Sequence, residues 1–130
     1  MRREVAPRSA GEHFINMPAH QYNFPNPFNL IDKSVTLRAG TSGVASNIRG
    51  TYIVIAPTGS GSEDIKLRIY NVAGDLVREF KPTLTRGQYN YIEWDGRNTA
   101  GDDVASGVYF AAVDAAGAPK RTPIKMVLVK

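Results

Sequence analysis

Ile65-Lys66-Leu67-Arg68-Ile69-Tyr70, followed by Asn71-Val72-Ala73-Gly74-Asp75 and then Leu76-Val77-Arg78-Glu79-Phe80, decides the fold class. In the first run Ile65, Leu67 and Ile69 alternate with Lys66, Arg68 and Tyr70. A period of two with one polar side is the pattern of a strand that packs one face on a core and turns the other to water. Val72–Asp75 reads as a tight turn, with Gly74 supplying the positive φ that such turns need. Leu76–Phe80 then returns as the hairpin partner.

The same reading extends in both directions. Toward the C-terminus, Pro82–Gln88 connects to a strand at Tyr89–Trp94. Asp95–Gly107 is a long polar loop punctuated by Gly96, Gly101 and Gly107. Val108–Val113 is a strand, with small Ala111 and Ala112 where sheets approach. Ala115–Pro123 turns, and Ile124–Val129 is the last strand, with Ile124, Met126 and Leu128 on one face. Toward the N-terminus, Thr58–Ser62 is a flexible turn and Thr51–Ala56 a β-branched and aromatic strand closed by Pro57. Ala39–Gly50, rich in Gly, Ser and Asn, reads as a loop, and Val35–Arg38 as a short strand. Tyr22–Asn29 reads as an extended sheet-edge strand pinned by Phe24 and Phe28, because Pro25 and Pro27 remove two backbone donors. Residues 1–21 read as a linker or flexible arm. About seven short strands with no amphipathic helix predict an all-β sandwich over residues 22–130.

Composition narrows the function classes. At 130 residues the chain has room for one domain. It has no cysteine, which excludes disulfides and thiolate metal sites. Lys and Arg total 16 against 12 Asp and Glu, a net charge of +4 partly contributed by the two ends. That is too diffuse for the basic face of a nucleic-acid binder, so no nucleic-acid partner is expected. No run of about 18 apolar residues is present to span a membrane as a helix. The start, Met1-Arg2-Arg3-Glu4, lacks the apolar stretch of a signal peptide. If the natural protein is exported, this sequence is expected to be a fragment of it, or to have had its start trimmed or engineered. The last strand runs to Lys130, as expected of a native terminus.

Constellations that bear chemistry are few. The histidines, His13 and His20, both lie in the irregular front segment, where no packed neighbours would hold a general base. Ser106 lacks the glycine two positions earlier that a nucleophile elbow has, and reads as a turn serine. Thr58-Gly59-Ser60-Gly61-Ser62 lacks the Lys-Ser/Thr pair and the helix of a phosphate-binding loop. Glu93 and Asp95, two apart on one strand, would share a face at about 7 Å, but they read as surface acids rather than a glycosidase pair. Asp95, Asn98, Asp102 and Asp103 crowd one glycine-rich loop, which raises calcium as an alternative. Their order departs from EF-hand spacing, and Arg97 lies inside it, so turn chemistry is the first reading. No cofactor and no catalytic residue are expected.

Four stretches together carry a resemblance. Phe24-Pro25-Asn26-Pro27-Phe28-Asn29 opens the region. Leu67–Arg78 follows, with Tyr70, Gly74 and Val77-Arg78 at its marked positions. Tyr91-Ile92-Glu93-Trp94-Asp95-Gly96-Arg97-Asn98, then Gly101 and Ser106-Gly107-Val108-Tyr109-Phe110, form the third. Met126–Lys130 closes it. Residues 22–130 thus resemble the immunoglobulin-like domain named for the flagellar hook-capping protein, which overlaps with the C-terminal sorting domains of the type IX secretion system. The resemblance implies an immunoglobulin-like β-sandwich of antiparallel strands with Trp94 as the plug between sheets. It also implies a non-catalytic module at the C-terminal end of a larger exported bacterial protein, serving sorting, surface anchoring or stabilisation. Relative to the family, about twenty residues between Asn29 and Thr51 are extra, as decoration or a binding surface.

The location implied is extracellular or at the cell surface, reached through the periplasm. Partners would be proteins: export machinery, or neighbouring domains and subunits of the parent. Strand addition along Ile124, Lys125, Met126, Val127, Leu128, Val129 and Lys130 is the expected recognition mode. The alternative is a structural subunit of an extracellular assembly, for which self-association is expected. A third reading, a carbohydrate-binding module, would use the rings of Tyr52, Tyr70, Tyr89, Tyr91 and Tyr109.

Overall fold

Thr51-Tyr52-Ile53-Val54-Ile55-Ala56 is buried at all six positions, the mark of a strand covered on both faces. What covers it organises the molecule. The structure is a computed structural model and describes residues 20–38, 42–115 and 122–130. Its strands, in chain order, are β1 (His20–Phe24), β2 (Asp32–Arg38), β3 (Ser42–Arg49), β4 (Thr51–Ala56), β5 (Ser62–Asn71), β6 (Leu76–Phe80), β7 (Thr83–Thr85), β8 (Asn90–Trp94), β9 (Gly107–Ala115) and β10 (Ile124–Leu128).

One sheet runs β10-β9-β5-β6, with β7 also on β5; the other runs β1-β4-β8. All strand pairs are antiparallel. The predicted hairpin is present: Leu67 pairs with Phe80 and Ile69 with Arg78, with a bulge before Tyr70. Its turn is held by Asn71, whose Oδ1 accepts from the amides of Ala73 (3.0 Å) and Asp75 (2.9 Å). Gly74 lies there at φ 87°. The two sheets face each other across Ile53, Ile55 and Trp94 on one side and Ile65, Leu67, Ile69, Tyr109, Ala111, Met126 and Leu128 on the other. This is the expected immunoglobulin-like all-β sandwich.

The other face of β4 carries a third layer. Residues 42–50, read from sequence as part of a loop, contain β3, which pairs with β2 from Asp32↔Arg49 to Arg38↔Ser42. Val35, Leu37 and Ile48 pack on Tyr52 and Val54, beside Tyr22, Phe24, Tyr89 and Tyr91. The Gly/Ser/Asn content hid this strand because propensity is weak where a hairpin partner and a hydrophobic bed are on offer. Residues 39–41 lie outside those described. Lys33 anchors the base of the hairpin, donating from Nζ to the carbonyls of Gly50 (3.1 Å) and Asn29 (3.3 Å); burial holds its pKa below the usual lysine value against the opposing pull of Asp32.

Further boundaries differ from expectation. β1 begins at His20, and the arm before it lies outside the described residues. Tyr22–Asn29 is not one continuous strand: β1 stops at Phe24, and Pro25 and Pro27, both after cis peptide bonds, turn the chain toward the other sheet. Pro82–Gln88 also contains β7, which continues the register of β6 along the same edge of β5.

Candidate functional site

The residues on which the resemblance rests lie toward one end of the sandwich, around Trp94. Trp94 is fully buried, and its ring meets Phe28 at 5.7 Å and Tyr109 at 5.4 Å between centroids. A buried indole N–H needs an acceptor, which the Arg97 carbonyl supplies at 3.0 Å. The Tyr109 hydroxyl donates to the carbonyl of Ala105 at 2.6 Å, and burial pushes its pKa up. Phe110, on the opposite face of the strand, is half-buried.

The Asp95–Gly107 loop is knitted to this core by arginines. Asp95 Oδ1 accepts from the Arg97 amide (3.1 Å) and from Arg78 Nη1 (3.2 Å). Arg49, at the end of β3, donates to the Asp95 carbonyl (2.7 Å) and to Asp103 Oδ2 (2.8 Å). The Arg49 hydrogen bond is the main cause that holds Asp103 below the usual carboxylate range. Arg97 Nε lies 3.4 Å from Asp103 Oδ1. Asn98 Oδ1 accepts from the Asp102 amide (3.0 Å), and Gly101 closes the turn onto the Asn98 carbonyl (2.9 Å) at φ 89°. Of the four residues raised for calcium, Asp95 and Asp103 face guanidinium groups and the Asn98 side chain caps the backbone. Among the described residues no three His, Asp or Glu side chains converge on a metal position.

An open groove of about 450 Å³ beside this loop is lined by Leu76, Arg78, Glu79, Asp95, Arg97 and Thr99, among others. Its lining has no histidine, its one hydroxyl, Thr99 Oγ1, donates to the Val77 carbonyl at 3.2 Å, and its carboxylates, Glu79 and Asp95, pair with arginines. Ser106 Oγ accepts from the Lys130 amide (3.0 Å), at the end of the sandwich opposite His20, which pairs with Ala56. His13 lies outside the described residues. Glu93 Oε2 accepts from the Arg49 amide at 3.4 Å, whereas the Asp95 carboxylate pairs with Arg78 and Arg97, and the two acids line separate grooves. Arg49 is invisible to sequence reasoning. Two acids with one local arginine signal a need for remote cations, but nothing in the chain says where they come from.

The expected recognition strand is β10. Ile124, Met126 and Leu128 are buried in the core as predicted, while Lys125, Val129 and Lys130 are exposed. Its outer edge is not open. The Phe28 amide donates to the Val127 carbonyl and the Val129 amide to the Phe28 carbonyl, both at 2.8 Å. The Asn26 side chain accepts from the Val127 amide (3.0 Å) and donates to the Lys125 carbonyl (3.1 Å). The opening motif therefore straps the closing one. Pro25 and Pro27 make this feasible, since they cannot pair as a regular strand and leave one carboxamide and one residue to do so.

Among the tyrosines weighed for sugar stacking, Tyr52 and Tyr109 are buried and Tyr70, Tyr89 and Tyr91 half-buried. Tyr52 and Tyr91 pack edge-to-face at 5.7 Å beside the hairpin residues.

This arrangement matches a known family over more than half of the chain: the FlgD Ig-like domain, at residues 49–118. The chain belongs to this family. No curated protein matches it. Among solved structures, it is similar to dimeric latent PorU from Porphyromonas gingivalis, with a TM-score of 0.58 and 20% identity over 87% of this chain. It also matches PorZ, a surface component of the type-IX secretion system of the same organism, with a TM-score of 0.49 and 22% identity over 85% of this chain. The chain spans 10% of the PorU chain and 11% of the PorZ chain. The FlgD Ig-like match thus covers β4 to β9, and β1, the strap and β10 complete the sandwich outside the matched span.

Proposed function

We propose that this FlgD Ig-like domain is a non-catalytic module of a larger exported bacterial protein, serving its sorting, surface anchoring or stabilisation. The observation that carries the reading is where the signature residues are spent. Phe28, Trp94 and Tyr109 fill the core, Asp95 and Asp103 neutralise arginines, and Asn26 caps a strand. None is left poised over a cleft with a base and a nucleophile, which a catalytic site needs. Among the described residues no helix is long and apolar enough to cross a membrane. The resemblance of the opening, hairpin, loop and terminal motifs to sorting domains supplies the export route, through the periplasm to the cell surface.

The test fuses the whole chain, residues 1–130, to a reporter enzyme in a bacterium with a type IX system and in a strain lacking it. Truncating β10 is unsuitable, because Ile124, Met126 and Leu128 are core residues. Reporter on the surface or in the medium of the first strain only is the expected result. Periplasmic retention in both strains overturns the sorting role.

A further inference from the structure

The sheet edges are not equally protected. β10 is strapped by Asn26 and Phe28. Along β6 and β7, Thr99 donates from its amide to the Val77 carbonyl at 3.0 Å. At the other end Asn90 caps Thr85, its Oδ1 accepting from the amide (2.9 Å) and its Nδ2 donating to the carbonyl (3.0 Å). Between these caps lies Glu79-Phe80-Lys81-Pro82-Thr83. The Ile65 amide donates to the Pro82 carbonyl at 3.1 Å. Strand alternation then turns Phe80 and Pro82 toward β5, and the backbone groups of Glu79, Lys81 and Thr83 outward. Pro82 costs the outer edge nothing, because its missing N–H would have pointed inward.

The side chains on this segment are self-complementary. Glu79 lies on the outer face opposite Arg68, with Oε2 2.8 Å from Arg68 Nε. Lys81, two residues on, shares that face. By the common register of β6 and β7 it falls opposite Lys66, a like charge. It has no ion-pair partner among the described residues. If a second strand of the same sequence runs antiparallel about a two-fold axis at Phe80, Glu79 falls opposite Lys81 of the copy and Lys81 opposite its Glu79. Phe80 meets Phe80 on the core-facing side. Opposite charges placed directly across from each other favour such pairing, and like charges oppose it. Lysine and proline at an edge discourage strands of arbitrary sequence, but this sequence is neutralised by its own copy.

We propose that Glu79–Thr83 is an interaction surface for a second copy of this chain. The two five-stranded sheets join there, through the outward amides and carbonyls of Glu79 and Lys81, into one sheet across an isologous contact. The contact is independent of the export route and stands or falls separately from it.

Sedimentation velocity over a concentration series tests it. The wild-type chain is expected to pass from monomer to dimer as concentration rises. K81E sets glutamate against Glu79 of the copy at both symmetry-related positions and weakens the dimer by roughly tenfold or more. E79K sets lysine against Lys81 with the same effect. An equimolar mixture of K81E and E79K restores both opposite-charge pairs and is expected to form a heterodimer. Because E79K also faces Arg68, its fold is checked by tryptophan emission. Hydrogen exchange on the wild type gives a second readout: the Glu79 and Lys81 amides slow with concentration while that of Phe80 does not change. A wild type that stays monomeric overturns the proposal. So does a K81E chain that dimerises as well as the wild type.

Discussion

The side chain of Asn26 pairs with the backbone of Val127 as a neighbouring strand would, accepting its amide proton at 3.0 Å while donating to the carbonyl of Lys125 at 3.1 Å. One carboxamide thereby satisfies two edge groups 101 and 99 residues away in sequence. Replacing it with alanine leaves those groups to water. Asn26→Ala is expected to lower unfolding free energy by about 1–2 kcal/mol, measured by urea denaturation, and to speed amide exchange at Val127. Asn26→Asp keeps the acceptor but turns an oxygen toward the Lys125 carbonyl, so it is expected to rescue Val127 protection only.

Trp94 is the sole tryptophan of the chain and is fully buried, so its emission reports the core directly. The native protein is expected to emit blue-shifted and to red-shift in one transition on unfolding. Trp94→Ala removes the plug between Phe28 and Tyr109 and is expected to cost about 3–5 kcal/mol. Trp94→Phe keeps a ring but removes the indole donor, leaving the Arg97 carbonyl to Arg78 Nη1 alone (3.2 Å), and is expected to cost about 1–3 kcal/mol from the lost hydrogen bond and the smaller ring.

Two glycines separate steric need from backbone preference. Gly50 has φ 103°, and a Cβ there would stand 2.1 Å from the Trp94 carbonyl oxygen. Gly74 has φ 87°, and a Cβ would meet nothing within 4 Å. Gly74→Ala is expected to cost about 1–2 kcal/mol from the left-handed conformation alone. Gly50→Ala must also move β4 against β8, and is expected to lower the thermal midpoint well beyond the Gly74 variant in parallel melts.

How much of this is legible in the sequence follows from the range over which each signal acts. Ile65, Leu67 and Ile69 announce their strand because the pattern of two is local. Asn71 and Gly74 announce the turn for the same reason. The β3 strand escapes notice because Ser42–Arg49 carries few residues that favour a sheet. Only the bed of Tyr52, Val54 and Tyr91 gives it a reason to fold, and that bed is assembled from strands distant in sequence. The acidic loop is visible as a cluster. Its partners, Arg49 and Arg78, arrive through tertiary structure, so spacing alone does not tell a metal from a guanidinium. The edge of β10 reads as open because one asparagine and one phenylalanine leave no strand signature.

Acid sensitivity follows from the same arginines. Glu79 is held below its usual value of 4.5, first by its hydrogen bond from Arg68, and Asp103 below 3.8, first by that from Arg49. A carboxylate with a depressed folded pKa stabilises above its unfolded pKa, and that contribution is lost as pH falls through the folded one. The urea midpoint is therefore expected to be insensitive to these two groups near neutrality and to fall below pH 4.5. Arg49→Gln is expected to flatten the lower part of that decline, and Arg68→Gln the upper part.

The strap from Asn26 and Phe28 to β10 also sets an order of events for a chain delivered from its N-terminal side. Until residues 125–129 have emerged from a ribosome or a translocation pore, Phe28 has no backbone to bond and β9 lacks its outer neighbour. Folding of this domain thus waits on residues 125–129, and the segment that precedes them stays threadable until they arrive.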